Sequence, residues 1–386
     1  MTYELNTAST TGDASGTDGA VTSRAYRLVK AGVVEETMLR HPVPEGHVVV
    51  EPTLGSICHA DLRYFTGQRR PEAMARKLPM ALIHEGIGTI VRDDSGRLKP
   101  GQRVVIVPSM PGYMLNGTSA DECCPVCRDR LGDNYCAHGK FLASGTDGIA
   151  QDRLVVPAAS AIPVPDDIPD EIAVLSELCS VSYHALSRAG DRLSRGKAAV
   201  FGDGPVGYLT AAMLHHVYGL GRDRLRAFGA MPEKLAEFGF AERSLVQEYD
   251  FGTGEGVDVA VECTGGRFSE SAVNQAIELL NPGGVLILMG VTEERVPINT
   301  RDVLEKGITM IGSSRSSAAD FIGVLEAMRD PACRATLARL LPDRPKTVSA
   351  VGHFVDAMNE AAAHREWKKT VLAFRWRDAG EIAQYP

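Results

Sequence analysis

Between residues 172 and 315 the chain repeats a pattern that few folds can accommodate. Short, mostly apolar runs at Ala198–Phe201, Leu225–Phe228, Val257–Val261, Val285–Met289 and Ile308–Ile311 recur roughly every 25 to 30 residues, with helical stretches between several of them. Val206, Leu209, Met213 and Val217 fall at spacings of three and four, the mark of a helix with one apolar stripe. Strands with no polar face need cover on both sides, so this half is expected to be a doubly wound α/β unit around a parallel sheet. Its first strand runs straight into Gly202-Asp203-Gly204-Pro205-Val206-Gly207 and then into that helix. Glycines suit a tight turn in which a pyrophosphate approaches bare backbone at a helix N-terminus, so a dinucleotide is expected there.

The end of the second strand bears on which nicotinamide cofactor is used. An NAD site wants a carboxylate there for the ribose hydroxyls, about 20 residues beyond the glycines. The sequence has Gly229 instead, with nothing evident to repel a 2′-phosphate, and Lys234 within reach of one. NADP(H) is the expectation; the alternative is a solvated Lys234 with Glu233 serving the ribose.

The N-terminal half is β-rich. His47–Val50, Leu82–Val91 and Arg103–Val107 read as strands framing long loops, and Thr370–Phe374 reads as a last strand near the end of the chain. Two groups of metal-competent residues lie among the loops. Cys58 with His84 and Glu85 offers a thiolate, an imidazole and a carboxylate, a zinc set that leaves a position open. Cys123, Cys124, Cys127 and Cys136 form a second, denser group.

Taken together, these motifs resemble the zinc-containing medium-chain dehydrogenases, over nearly the whole span from Arg24 to Phe374. The resemblance implies an N-terminal β-rich, GroES-like catalytic domain (23–171 and 316–386) and a Rossmann NADP-binding domain (172–315); residues 1–22, rich in Thr, Ser, Gly and Ala with almost nothing to bury, are expected to be a disordered tail. It implies Cys58 and His84 as zinc ligands, Glu85 and Glu177 bound directly or through water, and Asp61 as the partner that orients His84. Arg315 is grouped with Gly202, Gly204, Pro205, Val206, Gly207, Gly229 and Lys234 as cofactor residues. The stretches Ile57–Gly67, Lys77–Gly86, Ala143–Gly148 and Gly312–Ser316 are similar to those of the bacterial NADP-dependent ribitol-5-phosphate dehydrogenases. A phosphorylated sugar or polyol is therefore the implied substrate. The implied reaction is zinc-assisted hydride transfer, D-ribulose 5-phosphate with NADPH to D-ribitol 5-phosphate. The alternative is an NADP-dependent dehydrogenase of a neutral polyol or another secondary alcohol.

Two departures stand out. Ala60 occupies a position that often carries the first hydroxyl of a proton relay, so the proton needs another route, through water at Glu177 or a substrate hydroxyl. Ile83 stands where glycine usually precedes the histidine, and nothing in the sequence accounts for it. In the cysteine group, many relatives hold a structural zinc, but the usual ladder is broken: its next rung is Asp121, and the gap to Cys136 is one residue too long. A zinc using Cys123, a zinc using Asp121 and a metal-free lobe stay open. A phosphate needs cations, and Arg63, Arg69, Arg70 and Lys77 follow the zinc loop, with Arg63 foremost. Tyr64 is expected either to meet a substrate hydroxyl or to pack.

A net charge of −8 disfavours a nucleic-acid partner, and no segment has the apolar length of a membrane helix. The N-terminus lacks a signal-peptide pattern, so a cytoplasmic protein with reduced cysteines is expected. By analogy with relatives it is a homodimer or homotetramer. A non-catalytic descendant and a zinc-free quinone reductase are disfavoured, because neither needs four ligand-competent residues.

Overall fold

The computed structural model describes residues 19–363 and 367–376. A hairpin of Ala20–Lys30 and Val33–Pro42 comes first, with Ala20 opposite Pro42. The expected tail therefore ends earlier than residue 22: Ala20–Thr22 is strand, recruited by pairing that its polar composition does not advertise. Residues 1–18 of that tail lie outside the described residues.

The second sheet runs Ala161–Pro163, Arg103–Ile106, Glu85–Asp93, His47–Ser56, Val371–Phe374, Lys346–Val348, with Leu154–Pro157 also on His47–Ser56. Its centre, His47–Ser56, is buried along most of its length. Pro52 is tolerated there because the register with Glu85–Asp93 shifts between Pro52 and Leu54. The last strand returns to the first half of the chain, setting Val371 opposite Ser56.

The other sheet is parallel throughout, in the order Glu242–Leu245, Leu225–Gly229, Ala198–Phe201, Val257–Glu262, Leu280–Leu288, Thr309–Gly312. This is the doubly wound order in which the two halves diverge from the first strand, leaving a crevice at the strand ends. All five apolar runs of the sequence fall in these strands. Helices Ser176–Ser187 and Pro205–His216 pack together on one face, joined there by Ala318–Met328 and Pro331–Ala338. Thus the chain after Ser316 first covers the parallel sheet, and joins the mixed seven-stranded one only from Lys346 onward, where Lys346–Val348 pairs in parallel with Val371–Phe374.

Candidate active site

Cys58 caps the helix His59–Phe65, and the local fold is organised by Asp61. This carboxylate is fully buried. One oxygen accepts from the Cys58 amide at 3.0 Å; the other accepts from the Ile83 amide at 3.1 Å and meets His84 Nδ1 at 3.3 Å. A single side chain thereby joins the cysteine loop to the histidine strand. Burial penalises a His84 cation, but the charge and hydrogen bond of Asp61, then Cys58, outweigh it and hold the pKa well above the usual value. Burial, with the charge of Glu85 behind it, pushes the Cys58 thiol up.

Glu85 is fully buried and faces Lys369, whose Nζ lies 3.1 Å from Oε1 and 2.9 Å from Oε2. Lys369 is itself buried and donates to the Ile57 carbonyl at 2.9 Å. Oε2, despite that proximity, has no hydrogen-bond partner in acceptable geometry. The ligand atoms of Cys58, His84 and Glu85 lie within 4.8 Å of one another. Soft sulfur, ring nitrogen and an unsatisfied carboxylate oxygen at that spacing fit a zinc ion with a free position. Glu177, on the helix Ser176–Ser187, is buried beside them but stands outside that close set. Burial pushes its carboxyl up to about 7.

Ile83 has φ +70°, a left-handed backbone that glycine adopts freely and a β-branched residue rarely does. Its place before His84 is thus one where glycine is the unstrained choice, which explains the family's preference. Here a fully buried side chain and two backbone hydrogen bonds hold the conformation instead.

A cationic cluster adjoins the zinc set. Lys77 Nζ donates to the Tyr64 hydroxyl at 2.8 Å and to Ser144 Oγ at 2.7 Å. Burial would raise the Tyr64 phenol, but these contacts hold it below its ordinary value. The guanidinium of Arg69 lies 4.8 Å from the centre of the Tyr64 ring. Burial and then the neighbouring Arg69 lower the pKa of Arg63, while Glu293 and Cys58 oppose them, so Arg63 stands within electrostatic reach of the zinc thiol. Arg70, 79% exposed, lies at the rim of the cluster. Arg315, which the sequence groups with the cofactor residues, has its guanidinium 4.8 Å from the centre of the Phe141 ring, which in turn sits 5.3 Å from His84. Its φ of +62° is a second left-handed backbone near the site.

The glycine cradle is built as its spacing requires. A Cβ on Gly207 would stand 1.9 Å from the Gly202 carbonyl oxygen, whereas one on Gly204 would meet nothing within 4 Å. The loop is therefore tight at its base and open toward a ligand at its crest. One premise about its neighbourhood needs correction. A carboxylate does stand near Gly229, contributed by Asp203: its Oδ2 accepts from the Ala230 and Met231 amides at 2.8 and 2.9 Å. A Cβ at 229 would lie 2.7 Å from that side chain, so the glycine is obligatory. The half-buried Lys234 and exposed Glu233 sit on the short helix that follows.

In the cysteine lobe all four sulfurs lie within 4.8 Å of one another. Neighbouring pairs are 3.6 Å (Cys123–Cys136), 3.6 Å (Cys124–Cys127) and 4.0 Å (Cys124–Cys136) apart. Four thiolates around zinc at about 2.3 Å define a tetrahedron with edges of about 3.8 Å, so the set fits that ion. The amides of Cys127 and Ala137 draw the Cys124 thiol down to about 6. Asp121 is not part of the set; its exposed carboxylate lies 4.0 Å from Arg130. The irregular ladder is absorbed by two four-residue helices meeting at Cys124, which turn Cys123 inward.

Lys369, Asp203, Glu293 and Phe141 were not anticipated. Lys369 sits just before the predicted last strand, and only its pairing beside Ser56 brings it to Glu85; no local motif marks it. Asp203 was in plain view inside the glycine motif, but its direction depends on the turn.

Comparisons with known proteins agree with this geometry. A family model described as the alcohol dehydrogenase GroES-like domain matches residues 44–166, and one described as the zinc-binding dehydrogenase matches 227–330. Ribulose-5-phosphate reductase 1 of Staphylococcus aureus is 37% identical, over 91% of this chain and 98% of its own length. Ribulose-5-phosphate reductase of Bacillus spizizenii is 38% identical, with the same coverage. Among solved structures, TarJ of S. aureus in complex with NADPH matches with a TM-score of 0.77 at 32% identity, covering 92% of this chain and all of the other. L-idonate 5-dehydrogenase of Escherichia coli has a TM-score of 0.78 at 23% identity, a likeness of fold alone.

Proposed function

This chain belongs to the zinc-binding alcohol dehydrogenases of the ribulose-5-phosphate reductase kind, and from that premise we propose how its residues reduce D-ribulose 5-phosphate to D-ribitol 5-phosphate with NADPH. The observation that carries the reading is a group of cations on the helix that Cys58 caps and on the segment after it, with Arg63 within electrostatic reach of Cys58. A neutral polyol has no use for that charge.

Cys58, His84 and Glu85 would hold a zinc ion and the Gly202–Gly207 cradle would hold NADPH; when bound, the ion would supply Lewis acidity and the cofactor a hydride. The chain's own groups do the rest. Asp61 fixes the Cys58 loop and the His84 ring against each other. Lys369 neutralises Glu85, a charge too costly to bury alone. Arg63, Arg69, Lys77 and Arg315 bind the phosphate, with Arg forks matched to its oxygens. Tyr64, anchored by Lys77, positions a sugar hydroxyl. Glu177, poised near neutrality, exchanges the proton that Ala60 cannot relay.

We also read residues 23–171 and 346–376 as the catalytic body and 172–315, with the helices Ala318–Met328 and Pro331–Ala338 that cover its sheet, as the cofactor body. A cytoplasmic setting, in which thiols stay available as metal ligands, belongs to the same reading. A homodimer or homotetramer is supported by the edge strand Thr309–Gly312 and the exposed apolar residues Val291 and Leu304 near it.

The test is a panel of pentuloses and their 5-phosphates, each with NADPH and NADH. Ribulose 5-phosphate with NADPH should give the highest kcat/KM. Equal turnover of free ribulose would end the phosphate assignment.

A further inference from the structure

The phosphate subsite described above already contains an anion. Glu293 lies in the loop between strand Leu280–Leu288 and helix Thr300–Lys306, on the cofactor side of the molecule. Its Oε1 is 3.5 Å from Arg63 and 3.2 Å from Arg69, and its Oε2 is 3.7 Å from Arg70. One carboxylate from the parallel-sheet body thus reaches across to three arginines of the zinc loop. The side chains of Arg63 and Arg69 are only 18% and 20% exposed, so two like charges are half-buried side by side. That arrangement needs a counter-charge whenever substrate is absent.

The carboxylate meets this need only in part. It engages a terminal nitrogen of each buried arginine, while the Nε atoms of both Arg63 and Arg69 are buried with no hydrogen-bond partner. A planar carboxylate has two oxygens to offer; a phosphate ester has three, arranged tetrahedrally, and can satisfy guanidinium edges that Glu293 leaves unmet. Phosphate and Glu293 therefore compete for the same cations.

We propose that Glu293 is a built-in competitor for the phosphate subsite: it holds Arg63 and Arg69 in the empty enzyme and is displaced by the substrate's phosphate. This rests on the phosphate reading given above and adds a specificity device to it. A neutral pentulose cannot displace the carboxylate, so the pocket stays closed by an ion pair between the two bodies. A phosphorylated one opens it and replaces it. The binding free energy of the phosphate is reduced by what the internal ion pair contributes, and removing Glu293 returns that amount to the ligand.

The experiment uses the zinc-loaded enzyme and inorganic phosphate, read in two ways: inhibition against ribulose 5-phosphate, and the rise in melting temperature that phosphate produces. In E293Q the inhibition constant of inorganic phosphate should fall about fivefold to tenfold, the scale of a half-exposed ion pair shared by several arginines, and the thermal shift at fixed phosphate should grow. Glu293→Asp, which keeps the charge, should stay nearer the wild type. An unchanged phosphate affinity in E293Q, or a weaker one, overturns the proposal; the latter would make Glu293 a substrate ligand. Arg63→Ala separates the two levels. Loss of phosphate inhibition in R63A, with no gain in E293Q, sinks the competitor alone. Phosphate that binds wild type and R63A equally sinks the phosphate subsite and the competitor together.

Discussion

The zinc set at Cys58, His84 and Glu85 and the four thiols of the lobe are equally compact, with all ligand atoms within 4.8 Å in each, yet they are held together in opposite ways. The first is drawn from distant parts of the chain. A helix cap, a strand start and a lysine 284 residues along meet inside a packed body, and each ligand has a buried partner that fixes it. The second spans residues 123–136, on two four-residue helices, the junction between them and the end of a three-residue turn, and none of its cysteines joins the three apolar cores formed by the described residues. One cluster is built by the fold. The other builds the piece of fold it sits in.

If that division is right, losing ligands has different consequences in the two places. Replacing both Cys58 and His84 by alanine should lower kcat/KM about 10³-fold or more, because polarisation of the carbonyl is worth several kcal/mol. The circular-dichroism spectrum of that variant should change little, while loss of the bound ion and of the His84 partner of buried Asp61 lowers its melting temperature without unfolding it. A collapse of the fold would break the comparison at once.

Lys369 sharpens it further. Changing Lys369 to methionine leaves Glu85 a buried, uncompensated charge, which should cost the chelated protein about 3–5 kcal/mol in a urea titration. With zinc bound, the cation beside Glu85 substitutes for the ammonium, and the deficit should shrink. Equal losses with and without zinc would mean that Glu85 does not face the metal.

The lobe carries a smaller, more selective prediction. Asn134, between Cys127 and Cys136, is buried and donates to the Ser314 carbonyl at 2.9 Å; the Ser314 amide lies 3.3 Å from the Tyr135 hydroxyl. The lobe therefore grips the segment that carries Arg315. Asn134→Ala should raise the KM for ribulose 5-phosphate about threefold to tenfold while sparing kcat, the pattern of lost uniform binding. Serine at Cys124 should do the same, and should also lower the metal content by one per chain and open residues 112–140 to protease. A fall in kcat with KM unchanged would place the lobe's influence elsewhere.

How much of this was legible in advance follows the same line. The parallel sheet was readable because strands buried on both faces cannot disguise their apolarity, and the glycine cradle because its spacing is a steric demand. That Cys58 and His84 come together was readable because few residue types are competent for zinc, and the motifs around them are specific. What escaped were side chains whose meaning is a direction. Lys369 becomes a partner of Glu85 only through the pairing of Val371 with Ser56. Arg315 turns to Phe141 because its backbone is left-handed, and Asp203 turns to Gly229 because a glycine leaves room. The hairpin at Ala20 escaped for a related reason: a half-exposed strand of mixed polarity is set by its partner rather than by its own residues.

The smallest effect tests the most local feature. At Ile83 two terms oppose each other: the left-handed backbone penalises any residue with a Cβ by about 1–2 kcal/mol, while the buried side chain contributes about 2–5 kcal/mol through packing. Alanine would discard most of the packing and keep the backbone penalty; glycine would discard the packing and relieve it. Both variants should be less stable than the wild type, but Ile83→Gly should exceed Ile83→Ala by about 1 kcal/mol in a denaturant titration, after the extra freedom of glycine in the unfolded chain is counted. That order reverses the usual one for a strand or helix interior. If alanine proved the more stable, the amide that Ile83 donates to Asp61 would not depend on a left-handed backbone, and the link between the cysteine loop and His84 would rest on side chains alone.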